Sequence, residues 1–495
     1  MENKIRVRFA PSPTGFLHIG SLRTVLFGYL IAKKDEGKFI LRIEDTDQKR
    51  KVEGSEAGLV DILNWVGIKF DEGPGIIKDQ AEDIGEYGPY IQTERLSIYD
   101  KYIKKLLKEK KVYRCFCTPE RLTKMRENQQ SKKLAPRYDR ACRDLSDEEI
   151  EEMIGNKVPY VIRQKMPLEG EVSVNDELRG EIKFKVEDLQ DHVLIKSNGI
   201  PTYQFAVVVD DHEMEISHVL RGEEWIPSFP KNILLYKDFG WTAPKFIHMP
   251  LSLNKEGGKL SKRQGDVAVE DYREKGYLPK ALINFSVLQG WHPKDDNEIL
   301  SLDETLKMFN YKDMSISPAI FDVEKLDYFN GYYIRNMDIN DLVEQCRPYL
   351  EKSDIYNSRS EKSDKFIKNI ISLIQERMKK LLEVNELTEF FFKKELDFSK
   401  ELLLWKKLEY PEAKKNLEKI LIHIKTIEED KWTKEYLEES IIELIKNNEG
   451  KIGHYLWPMR VSLTGEKASP GPFEVAWTLG KEETIKRIKL SIEKL

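Results

Sequence analysis

Residues 5–47 restrict the possible folds of this chain more than any other stretch. Ile5–Phe9 alternates apolar and polar side chains, the pattern of a short strand. Pro11, Ser12, Pro13, Thr14 and Gly15 then break any regular element. Leu22, Val25, Leu26, Tyr29 and Leu30 recur at the spacing of one helix face, and Phe39–Ile43 reads as a second strand. Strand, loop, helix and strand make a βαβ unit, which predicts parallel pairing with a right-handed crossover. The chain is therefore expected to be an α/β protein built on a parallel sheet.

In such a unit the chemistry belongs where the first strand turns into the helix. Unpaired backbone N–H groups and the helix dipole favour an anion there, phosphate above all. His18, Ile19, Gly20 and Ser21 occupy that corner. Gly20 allows a ligand to approach the backbone, Ser21 is the expected helix cap, and His18 can donate to a phosphate oxygen. Neither a Walker loop nor a G-x-G-x-x-G motif is present in this turn.

The run Ala10–Gly20, A-P-S-P-T-G-x-x-H-I-G, resembles the HIGH signature of class I aminoacyl-tRNA synthetases. The strand that follows, with Arg42, Ile43, Glu44, Asp45, Thr46 and Asp47, narrows the resemblance to the glutamyl/glutaminyl subgroup. Ser21 stands at the fourth HIGH position, where this subgroup usually has a small residue. Further on, Lys259–Arg263 (Lys-Leu-Ser-Lys-Arg) resembles the KMSKS loop, with Arg263 in place of its final serine.

A length of 495 residues predicts two to four domains. Charged residues make up 34% of the chain, yet the net charge is only −5, which argues against a general polyanion coat and leaves room for a local basic surface. Four cysteines do not suggest a disulfide scaffold. The N-terminus has no apolar signal core, and no run reaches the ~18 apolar residues of a membrane span. The expectation is a cytoplasmic protein with no membrane partner.

Elsewhere, residues 48–70 read as a helix with Leu59, Ile62, Leu63 and Val66 on one face. A lysine-rich helix follows through Tyr99, Tyr102 and Leu106. Val158–Arg163, Ile182–Val186 and His192–Lys196 are strand-like. The run Ile200–His212 does not distinguish helix from strand by periodicity, and the resemblance implies a helix. His218–Trp225 reads as a strand entering a helix, and Phe246–Met249 as a last strand. Beyond about residue 300 the pattern is helical, including Leu302–Phe309, Phe366–Ile374, Leu402–Leu408, Leu417–Ile424, Ile441–Ile445 and a final helix Lys481–Leu495. This half is similar to the all-helical anticodon-binding region of bacterial-type glutamyl-tRNA synthetases. The resemblance thus spans the whole chain. It implies a Rossmann-type catalytic domain in two halves (1–92 and 198–252) around an inserted connective, acceptor-binding domain (93–197). A KMSKS-loop and stem-contact region (253–330) and two helical anticodon-binding domains (331–385 and 386–495) would follow.

Cys115, Cys117 and Cys142 point to zinc, since thiolates bind zinc and a structural site needs four ligands. Cys346 lies far off in a helical region and reads as buried packing. For the fourth ligand the resemblance offers Tyr138 first, with Asp144 as the alternative.

The implied activity is two-step. Glutamate's carboxylate attacks the α-phosphorus of ATP and expels pyrophosphate, and the terminal ribose of tRNA(Glu) then takes the glutamyl group. The resemblance assigns catalysis to His18, Gly20, Lys259 and Lys262. It assigns ATP, carried with Mg2+, to Ser12, His18, Gly20, Ser21, Glu224, Trp225, Lys259, Ser261 and Lys262. Glutamate falls to Arg8, Ser12, Glu44, Tyr203 and Arg221. Val207 replaces a residue that is often polar in relatives, leaving one substrate contact unassigned. The implied enzyme is a monomer with glutamate, ATP and tRNA(Glu) as partners. The alternatives are a non-discriminating form that also charges tRNA(Gln), with an amidotransferase downstream, and a non-catalytic tRNA-binding paralogue.

Overall fold

The computed structural model describes residues 4–48, 52–75, 82–258, 260, 267–358 and 363–495. The βαβ unit forms where the pattern places it. Strand β1 (Arg6–Phe9) runs through the proline loop into helix α1 (Ile19–Lys34), which returns to β2 (Lys38–Leu41). β1 and β2 pair in parallel, with Val7 opposite Phe39 and Phe9 opposite Leu41. Helix α1 is buried on nearly every side through Leu22, Val25, Leu26, Phe27, Leu30 and Ile31. Each such side chain contributes about 1.5–3 kcal/mol by leaving water. It packs on β1, β2 and β8 (His218–Gly222), and also on the helix Pro279–Leu288. Gly28 permits the close approach, because a Cβ there would lie 3.3 Å from Phe39 and 3.5 Å from Val7.

The expected 48–70 helix is shorter. Among the described residues it is α2, Ser55–Trp65. Gly54 precedes it at φ 77° and Gly67 follows at φ 81°, and these left-handed residues set both limits. Leu59, Ile62 and Leu63 are buried as the pattern requires. Helix α3 (Leu96–Lys108) buries Tyr99, Tyr102, Ile103 and Leu106 and leaves its lysines exposed.

The remaining elements of this part are β3 (Val112–Cys115), α4 (Pro119–Ser131), α5 (Asp147–Gly155), β4 (Val161–Gln164), β5 (Glu171–Asp176), β6 (Gly180–Lys185) and β7 (Val193–Ile195). After them come α6 (Tyr203–Glu213), α7 (Phe229–Phe239) and β9 (Lys245–Met249). The ambiguous run at 200–212 is thus a helix. The main sheet has the order β2-β1-β8-β9-β5-β6. It is parallel as far as β5 and closed by the antiparallel hairpin β5–β6. Strands β3, β4 and β7 form a separate antiparallel sheet. The strand-like segment at 182–186 therefore belongs to a hairpin on the edge of the nucleotide sheet, not to the small sheet formed by its neighbours in sequence. Its partner β5 buries Val172, Val174 and Asp176 in strict alternation.

The chain divides into two compact units, residues 1–273 with 279–323, and residues 274–278 with 324–495. The second unit is helical among its described residues, with helices such as Ile339–Glu351, Asp364–Ile374, Tyr410–Thr426, Lys434–Asn447 and Lys481–Lys494. The expected helix at Leu402–Leu408 is absent. A 3₁₀ turn covers Lys400–Leu403, Lys406 takes φ 52°, and the Trp457 indole N–H claims the Leu402 carbonyl at 2.8 Å. Trp457 and Pro458 themselves lie inside the helix Ile452–Thr464. Cys346 is fully buried, as expected. Among the described residues no helix is long and apolar enough to cross a membrane.

Candidate active site

Strand β1 has β2 on one side and β8 on the other, so the chain order reverses at its carboxyl end. Ligand crevices in open α/β sheets form at such points. A cleft of about 460 Å³ opens there. Its lining includes Arg8, Ser12, His18, Ser21, Glu44, Tyr203, Arg221, Glu224 and Trp225. Residues separated by up to about 200 positions converge because β1, β2 and β8 end, and α6 begins, at one sheet edge. An adjoining cavity of about 250 Å³ is lined by His18, Gly20, Ser21, Glu224 and Leu260, among others.

At the helix start His18, rather than Ser21, is the cap. Its Nδ1 accepts the Gly20 backbone N–H at 3.0 Å, and Ser21 sits in the first turn. A neutral imidazole bound in this way carries its proton on Nε2. The segment just after the second signature is joined to this corner. Ile19 N donates to Val267 O at 2.7 Å and Val269 N to Leu17 O at 2.9 Å. Lys259, Ser261, Lys262 and Arg263 lie outside the described residues.

Beneath the cleft is a buried charge network. Arg42 Nη2 donates to Glu44 Oε1 at 2.8 Å and Nη1 to Asp211 Oδ1 at 2.8 Å. Arg8 Nε reaches the same Asp211 oxygen at 3.0 Å. Asp210 lies 3.9 Å from Arg42 Nε and accepts from Arg95 Nε at 2.7 Å, Gln92 Nε2 at 2.9 Å and Tyr99 Oη at 2.8 Å. Burial pushes the Asp211 carboxyl upward, but Arg8 and Arg42 outweigh it and hold the group below the usual carboxylate range. Burial pushes Glu44 up, opposed by Arg42 and Arg8.

Arg221 is held differently. Its Nε donates to His248 Nε2 at 2.9 Å and its Nη1 to Asn232 Oδ1 at 3.1 Å. Nη2 is buried and has no hydrogen-bond partner of good geometry among the described residues. Burial lowers the guanidinium's pKa, opposed first by the Tyr203 hydroxyl. Tyr203 and Trp225 pack with ring centroids 4.6 Å apart. The cleft thus offers a cation with no ion-pair partner at hydrogen-bond distance among the described residues, a carboxylate on the opposite β2 side, and the positive end of a helix. That arrangement suits a zwitterionic amino acid beside a phosphate.

The cysteine cluster forms a second site. The sulfurs of Cys115, Cys117 and Cys142 all lie within 4.8 Å of one another, with Cys117 and Cys142 3.5 Å apart. The Tyr138 hydroxyl is 3.1 Å from Cys115 Sγ and 3.6 Å from Cys117 Sγ. Tetrahedral zinc with ~2.3 Å bonds needs sulfurs about 3.8 Å apart, so the donor set fits. Hydrogen bonding from the Cys142 thiol, aided by Tyr138, brings Cys115 down to about 4 against its burial, which favours a thiolate. Asp144 is exposed and not among the clustered donors.

Comparison with known proteins gives the same picture. The family described as class I tRNA synthetases (E and Q), catalytic domain, matches residues 4–328, and an anticodon-binding domain matches residues 341–492. The glutamate–tRNA ligase of Clostridium botulinum is 45% identical over 498 positions, covering all of this chain and 99% of that one. That of Clostridium tetani is 46% identical over 497 positions, covering all of this chain and 98% of that one. The chain belongs to the glutamate–tRNA ligase family of class I tRNA synthetases. The crystal structure of a glutamate tRNA ligase from Elizabethkingia meningosepticum, in complex with its amino acid, superposes with a TM-score of 0.89 at 38% identity and covers 99% of both chains. A glutamate–tRNA synthetase from Elizabethkingia anophelis superposes with a TM-score of 0.88 at the same identity.

For a member of the glutamate–tRNA ligase family, sequence reasoning missed the groups under the cleft: Arg42 as a network centre, Asp210, Asp211, Asn232, His248 and Asp176. One signal was available. Asp210 and Asp211 end the apolar run Phe205–Val209, and two carboxylates buried there require cationic partners.

Proposed function

We propose that this chain activates L-glutamate with ATP and transfers it to the terminal adenosine of tRNA(Glu), releasing AMP and pyrophosphate. The observation that carries the reading is Arg221. It is a buried guanidinium on the cleft wall, held by the neutral groups His248 and Asn232 and beside the Tyr203 hydroxyl. A guanidinium binds a carboxylate in a fork and meets the NH₂ of an amide with donor against donor, so such a group selects glutamate over glutamine.

The residues then have these roles. Arg221 and Arg8 face the side-chain carboxylate, Glu44 the α-ammonium, and Tyr203 and Ser12 the body of the amino acid. His18 Nε2–H and the positive end of α1 at Gly20 and Ser21 face the phosphates of ATP. Glu224 and Trp225 flank the adenosine. Lys259, Ser261 and Lys262, which lie outside the described residues, supply positive charge and a hydroxyl to the phosphates. Neither step uses a protein nucleophile. Rate comes from positioning and from charge stabilisation at phosphorus. Mg2+ arriving with ATP neutralises phosphate charge. Cys115, Cys117, Cys142 and Tyr138 hold a structural zinc that fixes the loops around β3. The domain limits follow the sequence reading except at the β5–β6 hairpin, which lies within 93–197 yet belongs to the nucleotide sheet, and the helical second unit reads the anticodon. The enzyme acts as a cytoplasmic monomer.

The test is charging of purified tRNA(Glu) and tRNA(Gln), separately, with labelled glutamate. Charging of tRNA(Glu) is the expected result. Charging of both identifies a non-discriminating enzyme that works ahead of an amidotransferase. Charging of neither, with folded protein and active tRNA, overturns the reading in favour of a tRNA-binding paralogue.

A further inference from the structure

The cations near the cleft are not all compensated alike. Arg8 pairs with Asp211, Arg42 with Glu44 and Asp211, and Arg95 with Asp210. Among the described residues Arg221 has no carboxylate within ion-pair distance, and Asp211 acts on it only from farther off. Its Nε meets His248 Nε2, its Nη1 meets Asn232 Oδ1, and its guanidinium lies 5.0 Å from the Phe246 ring centroid. The His248 ring is fixed from behind: its Nδ1 is 2.7 Å from Asp176 Oδ2, and both side chains are fully buried. Asp176 accepts the Nδ1 proton, so the Nε2 lone pair is left to accept from Arg221 Nε–H.

We propose that His248 and Asp176 are positioning residues for glutamate specificity, orienting Arg221 through a neutral acceptor so that its charge stays available to the substrate carboxylate. This rests on the glutamate reading above. A carboxylate at position 248 would hold Arg221 as firmly but would neutralise it, and the pocket would lose its basis for preferring an anion to an amide. The imidazole supplies direction without charge. Burial lowers the His248 pKa and keeps the ring neutral, although Asp176 opposes this. Asp176 sits on β5, two strands beyond β8, and also receives the Leu178 and Arg179 backbone N–H groups at 3.0 and 2.9 Å. The hairpin at the sheet edge therefore buttresses the amino-acid pocket.

The experiment is steady-state charging of tRNA(Glu) by the full chain, varying glutamate and ATP separately. H248L removes the acceptor. The glutamate KM is expected to rise roughly 10- to 100-fold, the range for losing a hydrogen bond to a charged group, with the ATP KM unchanged. H248Q, which can place its amide oxygen near the Nε2 position, should recover most of that loss. D176N, which preserves shape and lets an amide donor turn the imidazole's N–H toward Arg221, should shift the glutamate KM in the same direction as H248L. An unchanged glutamate KM in folded H248L or D176N overturns the positioning role. So does an equal rise for glutamate and ATP, or an H248Q variant no better than H248L. Wild-type protein that fails to charge tRNA(Glu) removes the function reading itself, and this inference with it.

Discussion

Arg8 Nε lies 3.0 Å from Asp211 Oδ1, with both side chains buried, and Arg42 reaches the same oxygen at 2.8 Å. One carboxylate thus anchors two guanidinia under the cleft, and one of them lines it. Truncating one partner of a buried charge pair leaves the other uncompensated, at a cost of about 3–5 kcal/mol. D211N is expected to lower the first transition of a thermal melt by several degrees and to weaken glutamate binding through Arg8. An unaltered melt with normal glutamate affinity would show that Asp211 does not anchor the site.

The pH response follows in sign from the same groups. Asp211 and Asp176 both have carboxyl pKa values held below the ordinary range. Their contribution is therefore full above the unfolded value of roughly 4 and is lost as pH falls below it. His192 acts at higher pH. Both ring nitrogens are enclosed, and the Gln190 backbone opposes the loss of the proton only weakly. Burial first, then Lys231 and Arg163, bring the group down to about 3 from an ordinary 6.5. Below pH 6.5 the unfolded chain takes up a proton that the folded chain refuses, so stability declines as pH drops from 6.5 toward 3. The slope is at most about 1.4 kcal/mol per pH unit for one proton. H192F, similar in bulk and unable to titrate, should flatten the stability profile between pH 6 and pH 4 relative to wild type. Parallel profiles would remove His192 as the cause.

Gly20 and His18 define a third expectation. A Cβ at Gly20 would stand 3.2 Å from His18 Nδ1 and 3.5 Å from its Cε1, while the Gly20 N–H holds that same nitrogen. Alanine at 20 must displace the ring by a few tenths of an ångström. A small misplacement of a catalytic group costs roughly tenfold to a hundredfold in rate. ATP–pyrophosphate exchange with tRNA present should therefore fall in G20A with the glutamate KM unchanged, and fall further, by roughly 10²–10³, in H18A. Equal activity of G20A and wild type would detach His18 from the chemistry.

The path from sequence to site explains what could be read in advance. The βαβ unit was legible because breakers, a one-faced apolar pattern and two strands followed one another within residues 5–47, so local rules sufficed. Tyr203, Arg221, Glu224 and Trp225 were placed by resemblance to a family, since no local pattern says which sheet edge a distant strand will join. Where tertiary contacts outvoted local pattern, the reading slipped. The Trp457 indole took the Leu402 carbonyl and a helix was lost. The His18 side chain supplied the cap expected of Ser21. The alternation of Val172, Val174 and Asp176 marks a strand, but the buried Asp176 makes sense only beside His248, 72 residues away. Buried polar pairs of that kind leave no periodic signal.

The cysteine cluster supports a last expectation, one that separates the two candidate fourth ligands. The Tyr138 oxygen faces two of the three sulfurs at 3.1 and 3.6 Å, and it also accepts the Cys142 backbone N–H at 3.2 Å. The Arg163 guanidinium lies 3.9 Å from the centre of the Tyr138 ring, while burial and the hydrogen bonds to Cys115 and Cys117 push the phenol's pKa upward, so the hydroxyl is neutral until a metal displaces its proton. Three thiolates and a phenolate would carry four negative charges against the two of zinc, and Arg121, 3.3 Å from Cys117 Sγ, helps to offset the excess. Purified protein should contain about one zinc per chain. Y138F should lower the zinc content or its affinity, while D144N leaves both as they were. Because β3 ends at Cys115, stripping the metal with a chelator should loosen that strand, read as faster amide exchange over 112–117 with little change at α1. Loss of zinc in D144N, or retention at full affinity in Y138F, would reverse the assignment. A metal-free wild type with normal stability would leave the three thiols as a hydrogen-bonded packing cluster.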